Sequence, residues 1–221
     1  MANRKATNRG GAMLEFCLLM PVWAPLLIGT MWIGSAMVRG QQVTQVTRDL
    51  ASMYSRGVNF SSAGGSASST TLADIASLLG TVTSSGTGVV IFSTITYVGN
   101  SVCASDGTTY GSTSPLSHTT SCTNYGKFVF TQQYTQGNTS LMSSKFGSPA
   151  AADLDSNYNI PLTDYITHTT DVSSFNYLAT PAEGGQDGYQ SGQPAYVVEV
   201  FFSGSGQVGY TQGGAYAYAV F

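Results

Sequence analysis

From Phe16 to Val38 the chain runs for 23 residues without a charged side chain. As an α-helix rising ~1.5 Å per residue, that run covers about 34 Å, enough to cross a ~30 Å hydrocarbon core. A buried core helix is a poor alternative, because helices of water-soluble domains seldom carry apolar residues on every face over such a length. Pro21 and Pro25 lie inside the run. Each removes an N–H and kinks a helix, which membrane-spanning helices tolerate where neighbouring groups satisfy the freed carbonyls. Residues 16–38 therefore read as membrane-inserted.

The flanking charges divide the chain into two environments. Residues 1–57 hold Arg4, Lys5, Arg9, Arg39, Arg48 and Arg56 against Glu15 and Asp49, a balance of +4, whereas residues 58–221 total −7. Eight Lys plus Arg in 221 residues cannot form the basic stripe of a nucleic-acid binder. With 42% hydrophobic and 9% charged residues, the chain is also unlike a solvated disordered polymer. A cleaved secretory signal is the rival reading of the N-terminus, with Gly34-Ser35-Ala36 as its small-residue cleavage site. Against it, the apolar run exceeds the ~7–15 residues of a usual signal core. Glu15 also stands at the start of the run, and a carboxylate at the edge of a membrane segment is costly enough to suggest a function.

Arg9-Gly10-Gly11-Ala12-Met13-Leu14-Glu15-Phe16 resembles the processing site of type IV pilin-like precursors. The likeness is to the TadE-like branch, the minor pseudopilins of tight-adherence (Flp) pili. It extends to Pro21 six residues past the glutamate, to Gly29 and Gly34, and to the polar stretches Gln41-Gln42-Val43-Thr44 and Arg48-Asp49-Leu50-Ala51. The resemblance covers about residues 9–56. It implies cutting by a prepilin peptidase between Gly10 and Gly11, which makes Glu15 the fifth residue of the mature chain. It further implies pilin-like subunits and a pilus assembly platform as partners, and a cytoplasmic N-terminus. Physically, a carboxylate one helical turn from a new terminal ammonium can pair with it in its own or a neighbouring subunit, relieving two desolvation costs together.

Beyond the membrane, Val43, Val46, Leu50, Met53 and Tyr54 recur at helical spacing, which predicts that the helix continues to about Tyr54 and packs on the protein's own sheet, with Gly57 as its stop. Residues 61–69 read as a Ser/Gly/Ala linker, and residues 72–79 as a short helix capped by Thr70 or Thr71 and ended by Gly80. Residues 89–98, 128–134, 196–202 and 215–221 carry the branched and aromatic residues of strands, the last as a sheet edge. Residues 136–194 read as irregular, with a short helix near residues 140–145. The expected fold is α+β: a basic leader over 1–10, a long helix over 11–57 with a transmembrane and a polar half, and an antiparallel β-rich extracytoplasmic domain over 58–221.

Cys103 and Cys122 flank a Gly/Ser/Thr-rich loop beyond the span, which favours a disulfide worth about 3 kcal/mol in the chain-entropy model over two buried thiols. Cys17, within the apolar run, serves as a small apolar residue. The cysteines have no further metal ligands at usable spacing. Asp153, Asp155, Asn157, Asn159 and Asp164 fall at positions 1, 3, 5, 7 and 12 of a calcium loop, but Tyr158 replaces the glycine and Asp164 the glutamate such a loop needs. An Asx-rich turn is the expected reading, with weak calcium binding as the minor option. Gly204 to Gly209 matches G-x-G-x-x-G, yet the residues after it read as a strand, so a hairpin loop is expected instead of a dinucleotide site. His118 and His168 belong to no catalytic pattern, and no enzyme activity or cofactor is implied. The expected function is that of a single-pass minor pseudopilin assembling or priming a surface pilus or secretion filament; the alternative is an anchored or secreted envelope adhesin.

Overall fold

The computed structural model describes residues 9–61, 67–77, 79–104, 122–175, 191–204 and 214–221. Helix α1 (Arg9–Ser55) runs unbroken through Pro21 and Pro25. The chain divides into two compact units, Met1–Gln41 and Gln42–Phe221, so the boundary falls within α1. In the first unit the apolar side chains of α1 stand exposed on all sides, among them Leu19, Trp23, Leu27, Ile28 and Ile33. This helix is long and apolar enough to cross a membrane.

The second unit is an antiparallel sheet of β1 (Gly88–Tyr97), β2 (Phe128–Gly137), β3 (Pro194–Phe202) and β4 (Ala215–Val220) in the order β2-β1-β3-β4. One face is covered by the last turns of α1. Val43, Thr47, Leu50, Ala51 and Tyr54 are buried, a stripe at steps of three and four. It meets Val90, Phe92, Tyr134, Val198, Val200 and Phe202 from alternate positions of the strands. The stripe thus packs on the protein's own sheet, as its spacing suggests. Tyr54 is the hub. Its ring lies edge-on to Phe92 at 5.3 Å and to Tyr196 at 5.3 Å, and its hydroxyl bonds Thr94 Oγ1 at 2.7 Å and Gln132 Oε1 at 2.8 Å. Helix α1 stops at Gly57, whose φ of 85° allows its N–H to reach Tyr54 O at 2.9 Å and that of Val58 to reach Met53 O at 3.1 Å.

The expected linker is shorter than the composition suggests. Phe60 and Ser61 are buried, with Phe60 stacked on Phe92 at 4.9 Å, and helix α2 (Ala67–Ala76) already begins within it. Thr70 and Thr71 lie inside α2, not at its cap. Leu72, Ala76 and Leu79 join the same core as α1. Burial of an apolar face overrides the flexible character of Ser, Gly and Ala here.

The other face of the sheet is covered by the stretch expected to be irregular. Ile160 and Phe175 are buried against Ile95, Phe130, Ala195 and Val197, with Phe146 and Leu154 packed beside them. Within this stretch lie α4 (Leu162–Thr167) and a 3₁₀ turn (Thr169–Asp171). Covered on both faces, β1 is buried at every position, which explains its nearly continuous apolar run. The helix expected near residues 140–145 is instead a turn: Asn138 Oδ1 accepts hydrogen bonds from Ser140 N (3.1 Å) and Ser140 Oγ (2.6 Å), offering the backbone a competing arrangement. Strand β2 carries a bulge at Thr131, between the pairs Thr94↔Gln132 and Ile95↔Phe130. The carbonyl of Thr131 is thereby turned outward to accept Ile160 N at 2.8 Å. Strand β2 ends at Gly137, whose φ of 97° and close approach to the Gly88 carbonyl exclude a side chain.

Removing the Tyr54 hydroxyl leaves Thr94 and Gln132 without a shared partner. Tyr54→Phe is expected to cost about 1–3 kcal/mol of stability, read as a lower denaturant midpoint at unchanged slope. A change below about 0.3 kcal/mol would show that the aromatic contacts alone hold the helix to the sheet.

Candidate functional site

Residues 10 and 11, the expected processing pair, lie in the first turn of α1. Glu15 is exposed one turn further on, as are Met13 and Phe16, so the carboxylate stands at the head of an exposed apolar surface. Among the described residues it has no ion-pair partner. Cys17 is exposed on the same helix as a free thiol.

Cys103 and Cys122 form a disulfide, with Cα atoms 5.9 Å apart. It lies in a third apolar cluster with Val98, Val102, Val129 and Ile166. Cys103 belongs to the short helix α3 (Asn100–Ala104), where Ser191 Oγ accepts hydrogen bonds from Gly99 N at 3.1 Å and Val102 N at 3.3 Å. The disulfide thus fixes the Cys122–Tyr125 turn against the end of β1.

The five residues at calcium-loop spacing do not converge. Asp155 Oδ1 accepts hydrogen bonds from Asn157 N at 2.7 Å and Asn159 N at 2.8 Å, closing an Asx turn in which Tyr158 takes a φ of 63°. The Asn159 amide, then that of Asn157, holds the Asp155 carboxyl below its usual range. Asp164 lies on α4 and accepts from Thr163 Oγ1 at 3.2 Å. Asp153 turns away to His168, with Oδ1 to Nδ1 at 3.0 Å.

That pair is joined by Asp171, so that one donor atom from each of the three residues lies within 4.8 Å of the others. His168 follows the last turn of α4 and is fixed through its backbone: its N–H donates to Asp164 O at 2.7 Å, and its carbonyl accepts from Asn124 Nδ2 at 2.6 Å. The hydrogen bond to Asp153 raises the His168 pKa above its ordinary value, with Asp164 and Asp171 adding to the effect. Burial raises the Asp171 pKa, and the Asp153 charge adds to it, while the Ala150 amide at 3.3 Å opposes. The sequence signal for this cluster is faint, a histidine and an aspartate three residues apart across a chain turn, with the third member 15 residues upstream.

Strands β3 and β4 are adjacent and antiparallel, so the glycine-rich residues between them connect a hairpin, as expected, in place of the strand-to-helix turn a dinucleotide site requires. Of that motif, residues 205–209 lie outside the described residues, as does His118. The chain matches no protein-family model, no curated protein and no solved structure.

The cluster makes a signed pH prediction. The folded-state pKa of His168 lies above 6.5, so the stability it contributes is fully present below pH 6.5 and is lost as pH rises through the raised value. Asp171, also raised, acts in the same sense from pH 3.8 upward. In chelator-containing buffer the melting temperature should fall between pH 6 and pH 8.5, and His168→Ala should flatten the slope. An equal slope in the variant would remove His168 from the account.

Proposed function

We propose that this chain is a membrane-anchored minor pseudopilin that helps assemble or prime a Tad/Flp-type pilus or secretion filament. The observation that carries this reading is one continuous helix, Arg9–Ser55, exposed and apolar in its first part and packed on an antiparallel sheet through its last turns. A filament subunit needs this division: one half of the helix held in lipid or against other subunits, the other presenting a folded domain. In this reading Gly10 and Gly11 form the prepilin peptidase site. Glu15 sets subunit register by pairing with a terminal ammonium. Pro21 and Pro25 shape the membrane half of the helix, and the chain acts structurally, without catalysis. Exposed Tyr218 and Phe221, on and just past edge strand β4, favour the second reading, an envelope adhesin whose sheet edge contacts a surface.

The N-terminus of the mature protein separates the readings. Sequencing should start at Gly11; a start at Met37 would make it an ordinary secreted protein, and at Met1 a plain membrane anchor. Glu15→Val should leave membrane insertion intact, since removing the charge eases transfer into lipid, and should impair incorporation into a filament. Pili assembled as well by the valine variant would overturn the role of Glu15.

In the same reading residues 58–221 lie outside the cytoplasm, where the Cys103–Cys122 disulfide persists. Thiol labelling of protein kept from reductants, under denaturing conditions, should modify Cys17 alone, and reduction should add two more sites. Three reactive thiols before reduction would remove the disulfide and the oxidising compartment with it.

A further inference from the structure

Asp171 is fully buried, and its two carboxylate oxygens differ. Oδ1 accepts from Ala150 N at 3.3 Å; Oδ2 is buried and has no hydrogen-bond donor. Facing this carboxylate are a second one, Asp153, and the His168 imidazole. Among the described residues neither carboxylate has a Lys or Arg partner, so one imidazolium is the only side-chain cation set against two acids. A buried carboxylate oxygen without a donor is costly, and two facing carboxylates repel, unless they share a proton or a cation lies between them.

We propose that Asp153, His168 and Asp171 bind a divalent first-row transition ion, of which Zn²⁺ is the representative, with water completing the coordination. The donor set decides the class of ion. One imidazole nitrogen and two carboxylate oxygens suit Zn²⁺ and its neighbours, whereas Ca²⁺ and Mg²⁺ take oxygen ligands. The spacing is compatible: in a tetrahedral site with bonds of ~2.0–2.1 Å, ligand atoms lie about 3.3 Å apart. The His168–Asp153 distance is 3.0 Å, and all three donor atoms lie within 4.8 Å, so small side-chain rotations close the set. The imidazole side is open, since the His168 side chain is 46% exposed, and gives the ion a path in. The surrounding groups already orient the ligands: Ala150 N on Asp171 Oδ1 and Asn124 Nδ2 on the His168 carbonyl. Binding takes a neutral imidazole and two carboxylates, so the proton held between His168 and Asp153, and any on Asp171, leave to solvent. The bound ion would clamp three points of the layer over the second face of the sheet: the turn at residues 151–153, the end of α4 and the 3₁₀ turn. That layer is tied to β2 by Ser173 N on Phe128 O at 2.9 Å and by the bridge between Val129 and Val172.

The test is Zn²⁺ titration by calorimetry of the full chain in detergent, purified through a histidine-free tag and stripped with chelator. One Zn²⁺ per chain is expected, with the melting temperature raised at saturating ion. His168→Ala, an exposed position whose folding is checked by far-UV circular dichroism, should weaken binding at least tenfold and abolish the melting shift. Asp153→Asn should do the same, whereas His118→Ala, at the only other histidine, should leave both unchanged. Absence of binding in the parent, parental affinity in His168→Ala, or a preference for Ca²⁺ over Zn²⁺ would each overturn the assignment.

Discussion

The side chain of Tyr54 ends the buried stripe of α1 and joins it to three adjacent strands of the sheet, β2, β1 and β3. Its ring closes over Phe92 on the central strand and over Tyr134 and Tyr196 on the strands either side. Its hydroxyl reaches Thr94, a buried polar position, and Gln132, and so joins polar groups of β1 and β2 beneath the helix. Burial pushes this hydroxyl far above the ordinary tyrosine range, so it remains a neutral donor at any physiological pH. Because Gly57 turns the chain immediately after it, the same anchor delivers Phe60 onto Phe92 and lets Phe60 N donate to Tyr134 Oη at 3.2 Å. Leu72, Ala76 and Leu79, in and just after α2, complete the same core.

The second face of the sheet is specified by polar groups. Ser93, Gln133 and Glu199 form a buried strip across β1, β2 and β3. Gln133 Nε2 donates to Ser93 Oγ at 3.1 Å and to the Gly147 carbonyl at 3.1 Å. Glu199, fully buried, accepts from Ser144 Oγ, from Lys145 N at 2.9 Å and from Tyr216 Oη at 2.8 Å. A buried carboxylate with three donors is satisfied only when residues 144–147 dock in one position, so the strip selects that position where apolar contacts alone would allow several. Lys145 Nζ, 4.0 Å above the Tyr216 ring, adds a cation–π contact to the same docking.

These two faces explain which parts of the fold are legible in the sequence. Helix α1 announces itself twice, by 23 uncharged residues and then by a stripe at helical spacing, and the long apolar runs of β1 and β3 mark strands buried on both faces. The layer made of residues 138–175 is illegible because its core-facing apolar residues, the buried Ile160 and Phe175 and the half-buried Phe146 and Leu154, follow neither period, and its docking runs through side-chain-to-backbone hydrogen bonds that leave no pattern. The same holds for the candidate sites. The role proposed for Glu15 is visible because it rests on local register with Gly10 and Pro21, along one helix. Asp153, His168 and Asp171 acquire theirs only when a turn, a helix end and a 3₁₀ turn meet. The Asx-rich turn expected over residues 153–159 is local and legible: Asp155 Oδ1 accepts the amides of Asn157 and Asn159.

A chain with 9% charged residues has few ion pairs to draw on, and among its described residues the Asp153–His168 contact is the sole one. Its domain is held instead by aromatic packing, hydrogen bonds from buried polar side chains and a disulfide, all of which work without strong hydration of surface charge. Low charge suits a surface made to lie against other surfaces, since each lysine or glutamate brought into a contact must first shed water. The first unit carries this to its limit, with an apolar helix exposed on every side, a state that water penalises and that lipid or neighbouring helices relieve. At Gln41–Gln42 the rule reverses within one helix: the residues before it are apolar and outward-facing, and those after it hide their apolar side against a sheet. Helix propensity is indifferent to that change, so α1 passes through it unbroken. Its two halves are told apart only by which face carries the apolar residues and by what must cover them.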